Sequence, residues 1–265
     1  MSETGGATGG APDTKPQLSI VTLTMNEPER LLQTIESVDR QRGVSIEHII
    51  VNGGCPGVPP NASSTWLTRV QIVAEPRGIY PAMNIGLRSA SAPAIMFISS
   101  GDRLFRSDSA RTALALLGAN RWGYGSLVAI RDGKARVKAP SRLDRWLVPL
   151  GAGYVPHPAT VMETTLVEEV GGFQDRFGDA ADQWQILASW QACPPSTTAT
   201  PLAVHLVDGA SSDRDPDAVS AEYMEMRKSM ERPVLGARII DESVARGVIA
   251  ARKARRSLKL AGSGT

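Results

Sequence analysis

Residues 94–102 read AIMFISSGD, an apolar run that ends in a Ser-Gly-Asp turn. A short apolar run bounded by turn residues is typical of a strand that is buried on both faces. Such strands belong to parallel sheets covered by helices, and ligands bind there at the carboxyl ends of the strands. We therefore expect the carboxylate of Asp102 at the rim of a sheet, open to a ligand.

The preceding residues alternate between apolar runs and segments with helical spacing. Strands are predicted at 18–24, 46–51 and 70–74, and helices at 28–41 and 80–90. This alternation predicts an α/β fold with a Rossmann-like, mostly parallel sheet flanked by helices. The turns after the strands hold Asn26-Glu27, Asn52-Gly53-Gly54 and Ser100-Gly101-Asp102.

The second half of the chain is less regular. A hairpin is predicted around Asp132-Gly133, because such a dipeptide between two strand-like runs is typical of a tight turn. We expect one strand over 154–162, a helix over 179–191 and a last strand over 197–207. Two C-terminal helices are predicted near 216–231 and 234–258.

Composition divides the chain into three parts. Residues 1–16 are rich in Gly, Thr and Pro and predict a disordered tail, whereas 17–212 form the α/β domain. Residues 213–265 form a helical extension whose end, from Arg246 onward, carries six basic residues and no acids. A solvated helix face explains this basic end, and so does attachment to a membrane surface.

Charge and cysteine content exclude several classes of protein. A net charge of +2 does not indicate general nucleic-acid binding, and two distant cysteines give neither a disulfide framework nor a zinc pattern. No stretch approaches the roughly 18 apolar residues of a membrane span. The expected location is the cytoplasm, with peripheral attachment to the inner face of the cell membrane as an option.

Asp102 has two interpretations when taken alone. A carboxylate at a sheet rim suits a hard cation such as Mn²⁺ or Mg²⁺, which bridges protein oxygens to substrate phosphates. Asp is also a common turn residue with no ligand at all. The residue by itself favours the turn.

Residues 77–86, RGIYPAMNIG, place two glycines, an aromatic residue and an amide just before this strand. Together with the neighbouring turns they resemble the family 2 glycosyltransferases of the GT-A fold, and especially the bacterial subgroup that builds cell-envelope glycolipids and polysaccharides. The likeness extends over most of 17–212. The further matching segments are 21–27 (VTLTMNE), 49–54 (IIVNGG), 97–102 (FISSGD), His157-Pro158 and Ala181-Asp182.

The resemblance implies a role for each matching residue. Asp182 corresponds to the catalytic base, and Asp102 to the residue that holds Mn²⁺ or Mg²⁺ on the diphosphate. His157 and Trp184 would lie near the acceptor or the diphosphate. The residues expected to bind the nucleotide sugar are Thr24, Asn26, Glu27, Asn52, Gly78, Met83, Asn84, Ser100, Gly101 and Asp102.

The function that the resemblance implies is transfer of a sugar from a nucleotide-diphosphate sugar to a hydroxyl of a glycolipid or polysaccharide precursor, with inversion. Two departures from the subgroup, Pro81 after Tyr80 and Trp184 after Asp182, leave open a catalytically inactive member that only binds nucleotide sugars. A nucleotidyltransferase is disfavoured, because the turn after the first strand lacks a Gly-rich basic loop. Neither the sugar nor the acceptor can be identified from these residues.

Overall fold

The computed structural model describes residues 15–118, 120–150, 153–207, 222, 225–229, 235 and 237–261. Nearly all of the predicted N-terminal tail, and most of the helix predicted near 216–231, lie outside the described residues. The predicted α/β domain is described almost throughout, up to residue 207.

Ten strands form one mixed sheet in the order β3-β4-β2-β1-β5-β9-β7-β10-β6, with β8 paired to β7. The strands are β1 (Leu18–Thr24), β2 (Ile46–Asn52), β3 (Ala62–Ser63), β4 (Leu67–Val73), β5 (Ala94–Phe97), β6 (Arg103–Leu104), β7 (Trp122–Arg131), β8 (Lys134–Lys138), β9 (Thr160–Glu163) and β10 (Ser196–Leu206). The neighbours β4, β2, β1 and β5 are parallel, as are β7 and β10. The predicted mostly parallel α/β sheet is confirmed.

Helices cover both faces of this sheet. They are α1 (Pro28–Asp39), α2 (Ile79–Ser89), α3 (Ser109–Leu114), α4 (Asp144–Leu147), α5 (Thr164–Glu169), α6 (Ala181–Ala192) and α7 (Arg238–Ala261). Pro28 opens α1, where a missing N–H costs nothing. None of the helices described is long and apolar enough to cross a membrane.

Strand β1 lies in the middle of the sheet, and its side chains alternate between two cores. Leu18 and Ile20 join the cluster on one face, whereas Val21 and Leu23 join the cluster on the other. On the second face, helix α2 approaches so closely that a Cβ added to Gly86 would lie 2.3 Å from Cγ1 of Val21. A glycine at 86 therefore fixes the distance of α2 from the sheet.

One predicted element is wrong. In place of a single strand over 154–162, the structure has an extended segment, a short 3₁₀ turn at His157–Ala159 and the four-residue strand β9. Pro156 and Pro158 lack the N–H groups that a central strand would need for its hydrogen bonds. The predicted hairpin is confirmed, because β7 and β8 pair antiparallel around Asp132 and Gly133.

Candidate active site

The carboxyl end of β1 meets the carboxyl end of β2. The N–H of Gly53 donates to the carbonyl oxygen of Thr24 at 2.9 Å, which joins the two strand ends. The hydroxyl of Thr24 is buried and has no hydrogen-bond partner among the described residues. Because a buried hydroxyl without a partner is costly, this atom points to a ligand that completes it. Asn26 follows with a φ of 56°, a conformation that Asn tolerates better than most residues.

Asn52 has a structural role in its own turn. Its side-chain oxygen accepts from the N–H groups of Gly54 at 2.9 Å and Cys55 at 2.6 Å, and its Nδ2 donates to the carbonyl of Cys55 at 3.0 Å. Only one N–H of the amide is left for a ligand. Contact between Asn52 and a nucleotide base stays a prediction.

The turn that carries Asp102 is held from helix α1. The hydroxyl of Thr34 accepts from the N–H of Gly101 at 3.0 Å and donates to the carbonyl oxygen of Asp102 at 2.7 Å. Gly101 has a φ of 95°, which strongly favours glycine. The N–H of Ser100 donates to the carbonyl of Leu23 at 2.9 Å. Asp102 is therefore fixed beside the end of β1.

The carboxylate of Asp102 faces a histidine from the last strand. Its Oδ1 lies 2.6 Å from Nδ1 of His205 on β10, and Asp102 is only 5% exposed. Burial raises the pKa of the Asp102 carboxyl, whereas the hydrogen bond with His205 acts in the opposite direction. The sequence alone indicates a structural strand residue at His205, and the structure brings it to the candidate metal ligand.

Asp182 lies in the first turn of α6, as predicted, and is tied to the segment before His157. Its carboxylate accepts from the N–H of Gln183 at 2.7 Å and from Nε2 of Gln183 at 3.2 Å. The amide of Gln183 also bonds the N–H and carbonyl of Val155 at 3.1 and 3.0 Å. Burial raises the pKa of the Asp182 carboxyl to about 6, and repulsion from Asp179 adds to this shift against the hydrogen bonds from Gln183.

Tyr154 directly precedes Val155, whose backbone bonds the Gln183 amide that also holds Asp182. The residue is 40% exposed. Partial removal from water, and then the negative charges of Asp182 and Asp102, raise the pKa of its hydroxyl. The phenol is therefore neutral at pH 7. Lys138 of β8 contacts the Tyr154 carbonyl oxygen, and its Nζ lies 3.8 Å from the ring centroid.

His157 lies in an aromatic cluster with Phe97 and Phe173. Its ring is 5.5 Å from that of Phe97 at the end of β5 and 5.4 Å from that of Phe173, and the residue is 6% exposed. Burial lowers the pKa of His157 to about 4, so the imidazole is neutral at pH 7. It can offer one donor and one acceptor but no positive charge to a diphosphate.

Two residues that are predicted to bind the nucleotide sugar, Met83 and Asn84, have contacts within the fold. Met83 is 6% exposed and packs in the core between α2 and the sheet. The amide of Asn84 donates to the carbonyl of Phe173 at 2.8 Å and accepts from its N–H at 3.0 Å. Asn84 thus holds the 172–173 loop against α2, and contact of Met83 or Asn84 with a nucleotide sugar stays a prediction. Gly78, with a φ of 114°, is the N-cap of α2, and its contact with a nucleotide sugar stays a prediction.

Trp184 packs on a different side of α6 from Asp182. Two positions along an α-helix differ by about 200°, so Trp184 lies across α6 from Asp182. Its ring stacks on Phe177 at 5.6 Å, in a small cluster that includes Met226. The residue supports the turn before α6, and its place near an acceptor or diphosphate stays a prediction.

Two residues of the site, His205 and Tyr154, are not predicted from the sequence. His205 is separated from Asp102 by 103 positions. The one feature of the sequence that could have indicated a role in the site is its place near the end of a predicted strand. Tyr154 had no signal, because it lies in a loop outside any motif. Within the described ranges, no cluster of three or more His, Cys, Asp or Glu side chains could hold a metal ion.

Comparison with known proteins identifies relatives of the whole chain. The profile described as "Glycosyl transferase family 2" matches residues 19–124. The chain is 32% identical over 240 residues, 88% of its length and 91% of the relative, to "Uncharacterized glycosyltransferase Rv1514c" of Mycobacterium tuberculosis (strain ATCC 25618 / H37Rv). The same figures hold for "Uncharacterized glycosyltransferase MT1564" of strain CDC 1551 / Oshkosh.

Solved structures share the fold at low sequence identity. Residues 1–349 of S. aureus TarS in complex with UDP-GlcNAc give a TM-score of 0.59 at 13% identity, over 89% of this chain and 71% of that one. The mannosyltransferase PcManGT from Pyrobaculum calidifontis, in complex with GDP-Man and Mn²⁺, gives 0.55 at 15%, over 98% and 83%. At these identities the likeness shows the GT-A fold.

Proposed function

The chain belongs to the family 2 glycosyltransferases, and on that premise we propose that it moves a sugar from a nucleoside-diphosphate sugar to a hydroxyl of a glycolipid or polysaccharide precursor, with inversion. One observation carries this proposal: the turn that follows β5 at the end of β1 presents the buried carboxylate of Asp102, which pairs with Nδ1 of His205 at 2.6 Å. We assign cation binding to this carboxylate and proton transfer to Asp182, which Gln183 holds in the first turn of α6. We assign 17–212 to the catalytic domain and 213–265 to a helical extension with a peripheral membrane role.

Asp182 is the proposed base. A carboxyl with a pKa of about 6 is mostly ionised at pH 7 and still close enough to that pH to take a proton efficiently. Gln183 holds the carboxylate by two hydrogen bonds, which fixes the direction from which it accepts the acceptor's proton. Attack by that hydroxyl on the anomeric carbon, in one displacement, inverts its configuration. No covalent bond between sugar and protein is needed.

Asp102 and His205 form a donor pair that fits a divalent cation on a diphosphate. The 2.6 Å hydrogen bond between Oδ1 of Asp102 and Nδ1 of His205 would be exchanged for bonds to the cation, and the remaining ligands would be phosphate oxygens and water. When bound, Mn²⁺ or Mg²⁺ offsets the charge of the leaving nucleoside diphosphate. The imidazole is softer than the oxygen ligands that Mg²⁺ takes, which favours Mn²⁺.

The donor is proposed from the ends of β1 and β2. The unpartnered hydroxyl of Thr24 can donate to or accept from a nucleoside, and the remaining N–H of Asn52 can donate to it. The structural relatives are described in complex with UDP-GlcNAc and with GDP-Man and Mn²⁺, which supports a nucleotide-sugar donor of either kind. Residues 25–27 lie beside this edge, with Glu27 at the start of α1.

A panel of UDP-, GDP- and dTDP-sugars tests the proposal by donor hydrolysis and thermal shift. We expect the matching nucleoside diphosphate to raise the Tm with Mn²⁺ and not with EDTA. Asp102→Ala should abolish the Mn²⁺-dependent shift, whereas Asp182→Asn should keep the shift and lose turnover. Near-normal turnover by Asp182→Asn would show that another group takes the proton. Nucleotide binding without turnover by the wild type would instead support the inactive alternative.

A further inference from the structure

A basic segment, residues 134–146 (KARVKAPSRLDRW), spans β8 and most of α4. It contains five basic residues and one acid, so it is more positive than the chain as a whole, whose net charge is +2. The one acid, Asp144, accepts hydrogen bonds from the Tyr124 hydroxyl and the Ser141 N–H, both at 2.9 Å. Its carboxylate is directed into the fold, which leaves a positive surface.

Large apolar side chains in this segment are exposed. Val137 and Leu143 are each 62% exposed, and Trp146 is 48% exposed. Leu143 and Trp146 are three positions apart, linked by a backbone hydrogen bond of 2.9 Å, so they lie on one side of the turn. Exposed Trp and Leu beside basic residues are typical of surfaces that enter the interfacial region of a bilayer.

The cationic groups are available to a partner. Within the described chain, no carboxylate lies at ion-pairing distance from Lys134, Arg136, Arg142 or Arg145. Arg142 and Arg145 also border a cavity of about 420 Å³ that is lined by the rings of Tyr124 and Trp190. A concave surface with two guanidinium groups suits the phosphate of a lipid headgroup.

The basic segment is anchored at the candidate active site. Within the segment, Lys138 contacts Tyr154, which directly precedes Val155, the residue whose backbone bonds the Gln183 amide beside Asp182. Just beyond the end of the segment, Leu147 packs with Ala245 of the C-terminal helix α7. A membrane bound by the segment would therefore lie beside the cleft and beside the basic end of the chain.

We propose that the basic segment docks the protein on an anionic lipid membrane and so holds the cleft against a lipid-linked acceptor. The identity of that acceptor rests on the proposed function, whereas docking itself does not. An acidic polysaccharide would match the charges, but it would leave Leu143 and Trp146 in water. A bilayer accommodates both the arginines and the exposed apolar side chains.

Co-sedimentation of the full chain with vesicles tests docking without donor or acceptor. We compare phosphatidylcholine vesicles with vesicles that contain phosphatidylglycerol, at low and high salt. The charge variant is Arg142→Glu with Arg145→Glu, and its matched control is Arg40→Glu with Arg88→Glu, two exposed arginines outside the segment. The apolar variant is Leu143→Ser with Trp146→Ser, matched by Leu32→Ser with Val73→Ser.

Wild-type protein should bind the anionic vesicles, more weakly at high salt. Each basic residue near such a surface strengthens binding roughly fivefold, so the charge variant should lose roughly thirtyfold or more. The apolar variant should also bind more weakly, and both controls should bind like the wild type once thermal melting has verified folding.

Several results would overturn the proposal. One is that both test variants bind anionic vesicles as tightly as the wild type, and another is that the wild type binds the two kinds of vesicle equally. A third is that vesicle binding is lost only when Arg255 and Arg256 of α7 are replaced by Ser. The last is that the protein binds an acidic polysaccharide but no vesicles. Donor hydrolysis in solution is measured separately. If the wild type binds vesicles but neither it nor any variant hydrolyses a donor, the proposed function is refuted and docking stands.

Discussion

Replacing Asp182 by Asn should stabilise the protein while removing its turnover. The folded-state pKa of about 6, against an ordinary 3.8, means that the fold disfavours the ionised carboxylate. The stability contributed by this carboxyl is complete below pH 4 and is lost as pH rises through 6. A difference of about two pKa units corresponds to about 3 kcal/mol at pH 8 and to about 0.5 kcal/mol at pH 4.

Asn does not recover all of this free energy. Its oxygen can still accept from the N–H of Gln183, but its NH₂ cannot accept from Nε2 of Gln183, which costs about 1 kcal/mol. The expected net gain is about 2 kcal/mol at pH 8, or roughly 5 °C in Tm, and none at pH 4. The assay is thermal melting of both proteins over that pH range.

The control is Asp175→Asn, which changes an exposed carboxylate in the turn before α6 and should leave the Tm unchanged at every pH. Equal stability of wild type and Asp182→Asn at pH 8 would refute the reasoning, because it would mean that the carboxylate is well solvated. A gain that persists at pH 4 would point to packing and not to ionisation.

Three other changes test the site and its support. His205→Ala should weaken Mn²⁺ binding at least tenfold in the presence of the matching nucleoside diphosphate. The measurement is the thermal shift as Mn²⁺ is titrated. An unchanged Mn²⁺ affinity would show that His205 is not a ligand of the cation. Asn84→Ala loses both hydrogen bonds to Phe173 and should cost about 1–3 kcal/mol in urea unfolding, and no loss would show that the loop is held by other contacts. In the wild type, kcat/KM should fall below about pH 6 as Asp182 takes a proton. Asp179→Asn removes a neighbouring negative charge and should move this fall in kcat/KM to lower pH. A fall at the same pH as in the wild type would contradict the repulsion between the two carboxylates.

The sheet could be predicted from the sequence because its central strands are apolar on both sides. All seven residues of β1 are buried, and such a run identifies a strand without information from its neighbours. The strands β3 and β6 were not predicted, because each has two residues and depends on pairing with a partner strand. The prediction over 154–162 failed for a related reason: it followed hydrophobicity and neglected the missing N–H groups of Pro156 and Pro158.

The same distinction between local and long-range interactions applies to the site. A turn after a strand depends on neighbouring residues, so motifs in the sequence could predict the turn of Asp102 and the first turn of α6. Asn84 stands in a matching motif, but its amide holds the backbone of Phe173, and only the fold reveals which partner a side chain has.

The position of Asp182 depends on a chain of contacts that no motif contains. Gln183 bonds both the carboxylate and the backbone of Val155, and Val155 follows Tyr154 directly. The segment that carries the phenol of Tyr154 therefore also fixes the proposed base on α6. It follows that a change at Gln183 should disturb the base and the phenol together, while the turn of Asp102, held by Thr34, keeps its place.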